Sequence, residues 1–582
     1  MSHSKIIVLI VCLVSLTFAN SLSNSFVGDD FLLFVGNSYY RDPHNAGRIF
    51  SPDFITTQEE LSRSPAPGRL NNYSGCVAYR PVTALSYFLD FAVWKLNPHG
   101  LRFTNLLLHI LNSVLVYWML FLILRRKSAA GLAALLFGVH PIQAELLNNI
   151  GYRSDLLAVL FYCLTMIAFI LYDENKKFCF CAGGLAAMIL ALLAKETAIT
   201  LPAMLMVYHI IFVNTANAAR AFRKHARLYI LWWVIPGIYL YLYFFVFSNA
   251  TLDVLNGPAV FEQAFLFFYM MGHTVWAVVW PLGVKVVPPF YAPALNPQMI
   301  VMLSVTGVLL AAAFCGIKLS LSKRGVFAFL ILWFGSTYLP TSNIIPLVNP
   351  MGYRYLYLPS IGLFAILGML TRWAAGFFEN YKHYRLYRII AKSTIVVACM
   401  MFTVQLNVKY KDNFTMHEAM RQSYPDSAYP YLILGTIYKE LRMYPEAAAH
   451  YRQYIENKPE SYLAGAIPGE YVAWHQIGTC YVNDPDKAID AFTKAVKLKP
   501  DYAEGYASLG KAFLLKNNFP QALHFINEAF RFDGDLFSAR VYLLQTYQAM
   551  GEIPKARAVL TDLLEVYPAE GILLEFKQKI MP

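Results

Sequence analysis

Two adjacent carboxylates, Asp29 and Asp30, stand in SFVGDDFLLFVGNSYYRD (residues 25–42), just past the first apolar run of the chain. They head a set of ionisable residues in an otherwise greasy sequence. Tyr79-Arg80-Pro81 and Asp90 precede the next long apolar run, and His109 and Asn112 lie inside it, in FTNLLLHILN. His140, Glu145, Arg153 and Asp155 occupy HPIQAELLNNIGYRSD, Lys195-Glu196 ends a later run, and Tyr353, Arg354, Tyr355 and Tyr357 crowd MGYRYLYLPS. An ionisable group at a bilayer centre costs roughly 2.5–3.5 kcal/mol on insertion scales, so such groups are kept near water, paired, or used. In an outward-facing cavity, arginines can grip a lipid phosphate through charge-assisted bonds. A carboxylate beside it can take a proton from a bound hydroxyl. Moving a sugar from a lipid phosphate to a hydroxyl needs both.

Each of these residues also has a plainer reading. The aspartate pair can be a solvated helix end, and His140 with Glu145 a pair that holds a turn. His109 on a Leu-rich helix can be a satisfied core histidine. Lys195-Glu196 can be a structural ion pair at a cytoplasmic or re-entrant turn, and Arg153 can pair with Asp155. The tyrosines at 353, 355 and 357 are also what an interfacial aromatic belt contains. Arg354 has the stronger functional case, since its Tyr-rich neighbours in sequence offer no counter-charge.

The elements that must position these residues are membrane helices. Of the 582 residues 57% are hydrophobic and 14% charged, against about a quarter charged in soluble chains, and the mean hydropathy is +0.43. The formal charge of +12 comes in short clusters between apolar runs. That suits cytoplasmic loops and membrane lipid, and no nucleic acid is expected as a partner. The eight cysteines show no C-x-x-C spacing, so neither a disulfide framework nor a zinc site is indicated.

A span needs roughly 20 apolar residues. On that ruler about eleven spans fall near 5–20, 101–124, 129–147, 154–172, 178–194, 197–213, 228–248, 298–318, 325–340, 356–376 and 387–404. The first has the small-residue end of a cleavable signal (TFANS), but is read as retained. Segment 261–283, with Glu262, Gln263 and His273, is read as a helix in the outer interface. Arg125-Arg126-Lys127, Lys176-Lys177, ARAFRKHA (220–227), Lys323-Arg324 and KHYRLYR (382–388) then share one side, which the positive-inside rule makes cytoplasmic. The loops 21–100 and 341–355, and everything beyond about 405, lie outside. Three N-glycosylation sequons, at Asn72, Asn249 and Asn413, fall on that side.

The tail changes character. Ala488, Ala522 and Ala556 step by 34 residues, the tetratricopeptide period. Gly435, Gly478 and Gly510 supply the small residues that let paired helices pack closely, and Pro459, Pro500 and Pro568 end the second helices. About four repeats are expected, with extra residues at 460–470 and a concave face able to hold a partner.

Taken in order, FVGDD, YRPVTALSYFLDFAVWKLNPHGLRFTNLLLHILN, HPIQAELLNNIGYRSDLLAVLF, AKETAITLPAMLMVYHII and LPTSNIIPLVNPMGYRYLYLPSIGL, followed by repeats, resemble the transmembrane and tetratricopeptide repeat-containing proteins and their bacterial relatives. These are similar to polytopic glycosyltransferases of the GT-C architecture. The resemblance covers nearly the whole chain and implies an all-α fold: a polytopic GT-C-like domain at 1–410 with external loop 21–100, then an extracytoplasmic tetratricopeptide solenoid at 411–582.

The resemblance also implies an inverting transfer of mannose or another hexose from a polyprenyl-phosphate donor to a protein or glycan hydroxyl. It implies Asp29 as base, with Asp30 orienting the acceptor or a metal. Arg153, Arg354 and Arg80 would hold the donor phosphate, and His140, Glu145, Asp155, Tyr357, Lys195 and Glu196 would support the cavity. A divalent cation, magnesium or manganese, is left open as cofactor. So is the compartment, with the bacterial cytoplasmic membrane (repeats periplasmic) favoured over the endoplasmic reticulum membrane (repeats luminal). The departure from the family pattern is Tyr353, where an acidic residue commonly precedes the arginine. The rival class is a non-enzymatic membrane-anchored repeat scaffold.

Overall fold

The computed structural model describes the whole chain except residues 37–38, 51–78, 214–217, 247–259, 287–303, 305–306, 308–324, 345–350, 377–382, 458–468, 482, 569 and 581–582. The expected span at 298–318, the Lys323-Arg324 loop, the sequons at 72 and 249, much of the loop 21–100 and the 460–470 insertion therefore lie wholly or mostly outside the described residues. Two compact units divide the chain, Met1–Ser423 and Tyr424–Pro582.

The first unit is helical. Its opening half runs through α1 (His3–Phe18), α2 (Pro81–Trp94), α3 (Pro98–Leu124), α4 (Lys127–Val139), α5 (Ala144–Asn148), α6 (Arg153–Asn175) and α7 (Phe178–Ala194). Chain signals set the ends. Pro81 and Pro98 occupy first-turn positions, where a missing N–H costs nothing, and Asn97 caps α3 by accepting from the His99 N–H at 3.0 Å. The left-handed Arg125 (φ 55°) and Lys176 (φ 54°) close α3 and α6, so basic residues terminate both at one level.

Among the described residues four helices are long and apolar enough to cross a membrane: His3–Ser23, Pro98–Leu124, Ile150–Asn175 and Leu386–Lys409. The pair Lys127–Val139 and Pro141–Asn148, bent by 46°, makes a fifth if counted as one span. Shorter apolar helices, among them Phe178–Ala194, Phe267–Val279 and Val326–Thr341, accompany them. The described residues are those of a helical membrane protein.

Between apolar helices in lipid, close packing rather than water exclusion drives association, and small residues permit it. The central helix α4 carries Ala129, Ala130, Gly131, Ala133, Ala134 and Gly138, all buried. A methyl at Gly131 would touch Ile6 of α1, and one at Gly138 would collide with Val14. α3, α6 and the helix Ser360–Gly376 close the core around Tyr117, Tyr162, Met166 and Phe364.

The second unit stacks helix pairs: Ala428–Glu440 with Tyr444–Glu456, Glu470–Cys480 with Pro485–Leu498, Ala503–Leu515 with Phe519–Phe532, and Phe537–Ala549 with Ile553–Val566, closed by Gly571–Ile580. Ala488, Ala522 and Ala556 are buried at the pair interfaces. Gly435, Gly478 and Gly510 face Tyr451, Phe492 and Ile526, with no room for a methyl. Each second helix also starts with proline in its first turn, a second use of proline beside the terminating one.

Candidate active site

The loop that carries the aspartates is tied down before it reaches them. The Asn24 side chain donates to Asn148 Oδ1 (2.8 Å) and to the Asn407 carbonyl (2.9 Å). Asn148 in turn donates to Asn407 Oδ1 (2.8 Å), and Asn407 to the carbonyl of Thr17 (3.1 Å). Residues 390 apart in sequence thus clamp the end of α1. Ser25 N–H reaches the Lys411 carbonyl (2.7 Å), and Gly28 N–H reaches Asn413 Oδ1 (3.2 Å), so the one described sequon asparagine holds this loop. Gly28 turns the chain at φ +51°, which side chains other than glycine's rarely adopt, and a Cβ there would press on Asn149 Oδ1 at 3.3 Å.

Past that turn the two aspartates diverge. Asp30 is fully buried. Its Oδ1 accepts from the Gly151 N–H (2.9 Å), its Oδ2 from the Val27 N–H (3.3 Å), and Arg102 lies 3.8 Å from Oδ2. Arg102, itself buried, donates to the carbonyls of Asn24, Ser25 and Asn148. Burial pushes the Asp30 carboxyl up to about 6, against the pull of Arg102 and the two N–H donors. Where the sequence reading expects Asp30 to orient an acceptor or a metal, both its oxygens are engaged by backbone N–H groups. It anchors the loop to the turn Ile150–Tyr152.

Asp29 is half-buried, and among the described residues its carboxylate has no hydrogen-bond or ion-pair partner. It lies within electrostatic reach of Arg354 and Tyr152. Arg354 is gripped from three sides. Its guanidinium sits 4.2 Å above the Tyr152 ring and 4.9 Å from the Tyr355 ring, donates to Tyr355 Oη (3.2 Å), and lies 3.4 Å from Glu145 Oε1. Glu145, buried, uses Oε2 to accept the Tyr353 N–H at 2.7 Å. Arg354 is thus not without a counter-charge, contrary to the sequence reading. The acid it lacks at position 353 arrives from α5, and it binds the Tyr353 backbone.

The other expected residues separate into those near this centre and those used elsewhere. Lys195 places Nζ 2.7 Å from both Asp155 oxygens and 5.9 Å from the Tyr355 ring. Arg80 clasps Glu196 with two bonds, at 3.0 and 2.6 Å. Lys195 and Glu196 thus do not pair with each other in a self-contained turn but with Asp155 and Arg80. α7 runs back from Lys177 to the end where α6 begins, and that carries the pair across.

Arg153, expected on the donor phosphate, is fully buried and fully engaged. It ion-pairs with Asp90 at 2.5 Å, not with Asp155, and it donates to Asn105 Oδ1 (2.7 Å), the Leu101 carbonyl (3.1 Å) and the Ser86 carbonyl (3.3 Å). His140 does not pair with Glu145. Its Nδ1 caps the following turn by accepting from the Ile142 N–H at 3.3 Å. Tyr357 is buried, its hydroxyl bonded to His109 (2.8 Å) and Asn112 (3.0 Å). His109 is accordingly a satisfied core histidine, its second nitrogen 2.9 Å from the Gly138 carbonyl.

Two residues of the site escape the sequence reading, Arg102 and Tyr152. The signals were an arginine one turn into an apolar helix and an aromatic ring directly before Arg153. No group of three or more His, Cys, Asp or Glu able to hold a metal ion occurs among the described residues. With Asp30 bonded elsewhere, Asp29 offers a lone carboxylate, so the residues present do not fit a metal site, and no step is derived through one.

Comparison with known proteins bears on the whole arrangement. The "Protein O-mannosyl-transferase F38B6.6" of Caenorhabditis elegans is 22% identical over 473 residues, 78% of this chain and 63% of that protein. The human "Protein O-mannosyl-transferase TMTC3" is 31% identical over 172 residues, 30% of this chain and 17% of that protein. Tetratricopeptide repeat models match residues 431–461 and 481–535. The chain is thus similar to transmembrane and tetratricopeptide repeat-containing proteins through both its membrane part and its repeats. It spans less than two thirds of the length of these relatives. Human TMTC1, named in the same way, adds 31% identity over 210 residues, 33% of this chain and 22% of that protein. Among solved structures, YrrB, "a TPR protein with an unusual peptide-binding site", covers 28% of this chain and 81% of its own at 18% identity, with a TM-score of 0.23, too low to carry an argument.

Proposed function

We propose that this protein is a membrane glycosyltransferase that moves mannose, or another hexose, from a polyprenyl-phosphate donor to a hydroxyl of a protein on the extracytoplasmic face. The observation that carries the reading is the half-buried Asp29 carboxylate, without a hydrogen-bond or ion-pair partner among the described residues and within electrostatic reach of an arginine already fixed in place. The names of the relatives agree with it. Those relatives are animal proteins, which supports the endoplasmic reticulum lumen over the periplasm.

The step is one displacement. The acceptor oxygen forms a bond to the anomeric carbon as the bond from that carbon to the phosphate oxygen breaks. The hydroxyl proton goes to Asp29, and polyprenyl phosphate leaves with the electron pair, inverting the anomeric centre. Negative charge grows on the departing phosphate oxygen. A cation already oriented there stabilises the transition state without reorganising. Arg354 suits that role, because Tyr152, Tyr355 and Glu145 fix its plane and its single carboxylate contact leaves it capacity for an anion. Arg153 cannot serve, and Arg80 would first have to release Glu196. The tetratricopeptide unit would hold or orient the protein acceptor.

The test is transfer of labelled mannose from a synthetic mannosyl-phosphoryl polyprenol to peptide by purified full-length protein. Product of inverted configuration supports the reading. A chain that inserts and folds but never transfers or hydrolyses the donor contradicts it and leaves the anchored repeat scaffold.

A further inference from the structure

The contacts around the Asp29 loop also fix which helix ends lie furthest from it. α1 and the helix Tyr384–Lys409 both finish beside that loop, since the Asn407 side chain donates to the Thr17 carbonyl and Ser25 N–H reaches the Lys411 carbonyl. α4 runs the same way and ends at His140, just ahead of Glu145. The N-terminal ends of these three helices therefore share the opposite end of the unit, and the contacts there agree. His3 of α1 bonds the Tyr117 hydroxyl (2.7 Å) and lies within electrostatic reach of Lys127. Lys392 Nζ donates to Ser128 Oγ at 3.2 Å. This end gathers Arg126 and Lys127 at the start of α4 with Arg388 and Lys392, one turn apart on the helix Tyr384–Lys409. The two carboxylates at the end of α6 are already taken, Asp173 by Lys176 (2.5 Å) and Glu174 by Arg125. Among the described residues Arg126, Lys127 and Arg388 have no ion-pair partner, and all three are exposed.

We propose that this end docks the headgroup of an anionic phospholipid, in the leaflet away from Asp29. Two observations point to a lipid. The first is the charge: four cations stand on two touching helices, and the acids at the same end are spent on other partners. A phosphate there gains charge-assisted hydrogen bonds from guanidinium and ammonium groups together. The second is what lies beside the charge. Ile390, Val397 and Met401 follow at intervals of seven and four residues, which puts them on one stripe of the helix, and all three are exposed. The stripe starts level with the cations and runs toward the Asp29 end, so a lipid whose phosphate sits on the cations lays an acyl chain along it. Lys392 spans the two parts, with an apolar stem and a charged tip that reaches headgroup level. A soluble anion would use the cations and leave the stripe idle. The positive-inside rule makes this leaflet the cytoplasmic one, whose anionic lipids attract basic clusters at the membrane edge.

The test titrates delipidated full-length protein in detergent with phosphatidylinositol and with phosphatidylcholine of the same acyl chains, and counts bound lipid by native mass spectrometry. Wild type is expected to prefer phosphatidylinositol by about tenfold or more. Arg126→Gln, Lys127→Gln and Arg388→Gln should each lower that preference about fivefold, the worth of one charge near an anionic headgroup. Lys577→Gln, an exposed charge in the repeat unit, should leave it unchanged. Unaltered binding of phosphatidylcholine and an unaltered melting midpoint show that the variants are folded. Inositol phosphate, the headgroup without its chains, should bind far more weakly than the whole lipid. Equal binding of the two would mark a site for free anions and overturn the proposal. A wild type without preference, or a triple variant that keeps the full preference, would overturn it as well.

Discussion

Glu145 accepts the Tyr353 N–H at 2.7 Å with one carboxylate oxygen and lies 3.4 Å from the Arg354 guanidinium with the other. One buried acid from α5 therefore fixes both the backbone and the charge of a turn 208 residues further along the chain. A carboxylate before the arginine in sequence would do this locally; here it is done across the fold.

Glu145→Gln keeps an acceptor for the Tyr353 N–H and removes the charge, whereas Glu145→Ala removes both. Loss of one preoriented stabilising contact typically lowers kcat by about 10²–10³-fold. The alanine variant should fall in that range and the glutamine variant less. Leaving a mostly buried cation without its partner also costs about 3–5 kcal/mol, so the alanine variant should melt earlier. Transfer kinetics and melting in detergent measure both; unchanged values for the alanine variant would remove Glu145 from the site.

Arg153 and Arg354 should fail in different ways. Arg153 is wrapped by Asp90, Asn105 and two carbonyls, so Arg153→Ala should cost about 3–5 kcal/mol of stability and reduce the yield of folded protein. Arg354→Lys should fold normally and lose most transfer, since an ammonium cannot reproduce a planar guanidinium held between Tyr152 and Tyr355. Thermal midpoints and specific activity of the two variants, side by side, decide it.

Asp30 gives stability a pH signature. Its carboxyl titrates near 6 in the folded chain, against 3.8 ordinarily. Between those values the folded chain keeps a proton that the unfolded chain has lost. Stability should therefore be greatest below 3.8 and fall as pH rises through 6, by about 3 kcal/mol for this group alone. Asp30→Asn, which does not titrate, should flatten the unfolding midpoint between about pH 4 and 7. An identical slope in wild type and variant would show that Asp30 is not the titrating group.

In the repeat unit, Gly478 has Phe492 ring carbons 2.5 Å from where a Cβ would stand. Gly478→Ala should destabilise that pair by about 1–3 kcal/mol through overpacking, seen as faster limited proteolysis near 470–498. Gly571, with nothing near its Cβ position, should tolerate alanine. Equal proteolysis of the two variants would contradict this packing.

The repeats are legible in the sequence because their signal is local: the spacing of Ala488, Ala522 and Ala556 follows from helix pairs that pack against the next pair. Asp29 and Arg354 stand out as candidates for a different reason, since an apolar chain that retains charge draws notice to it. Their partners are not. Nothing in the spacing says that Arg153 meets Asp90 rather than Asp155, or that Asp30 turns inward while Asp29 stays open, because these choices are made by tertiary packing. The same holds for Arg102, which lies in an apolar helix and anchors the Asp29 loop from 78 residues away. Lys195 differs again. An adjacent Lys-Glu pair reads as a self-contained turn, whereas the return of α7 hands each member a separate partner, Asp155 and Arg80.

The central claim is that Asp29 removes the acceptor proton while Asp30 only holds the loop. Transfer of mannose from mannosyl-phosphoryl polyprenol by purified Asp29→Asn and Asp30→Asn proteins tests it most directly. With both variants inserted and folded, Asp29→Asn should be inactive at every pH, and Asp30→Asn should keep measurable turnover. Normal transfer by Asp29→Asn, or loss confined to Asp30→Asn, would contradict the account.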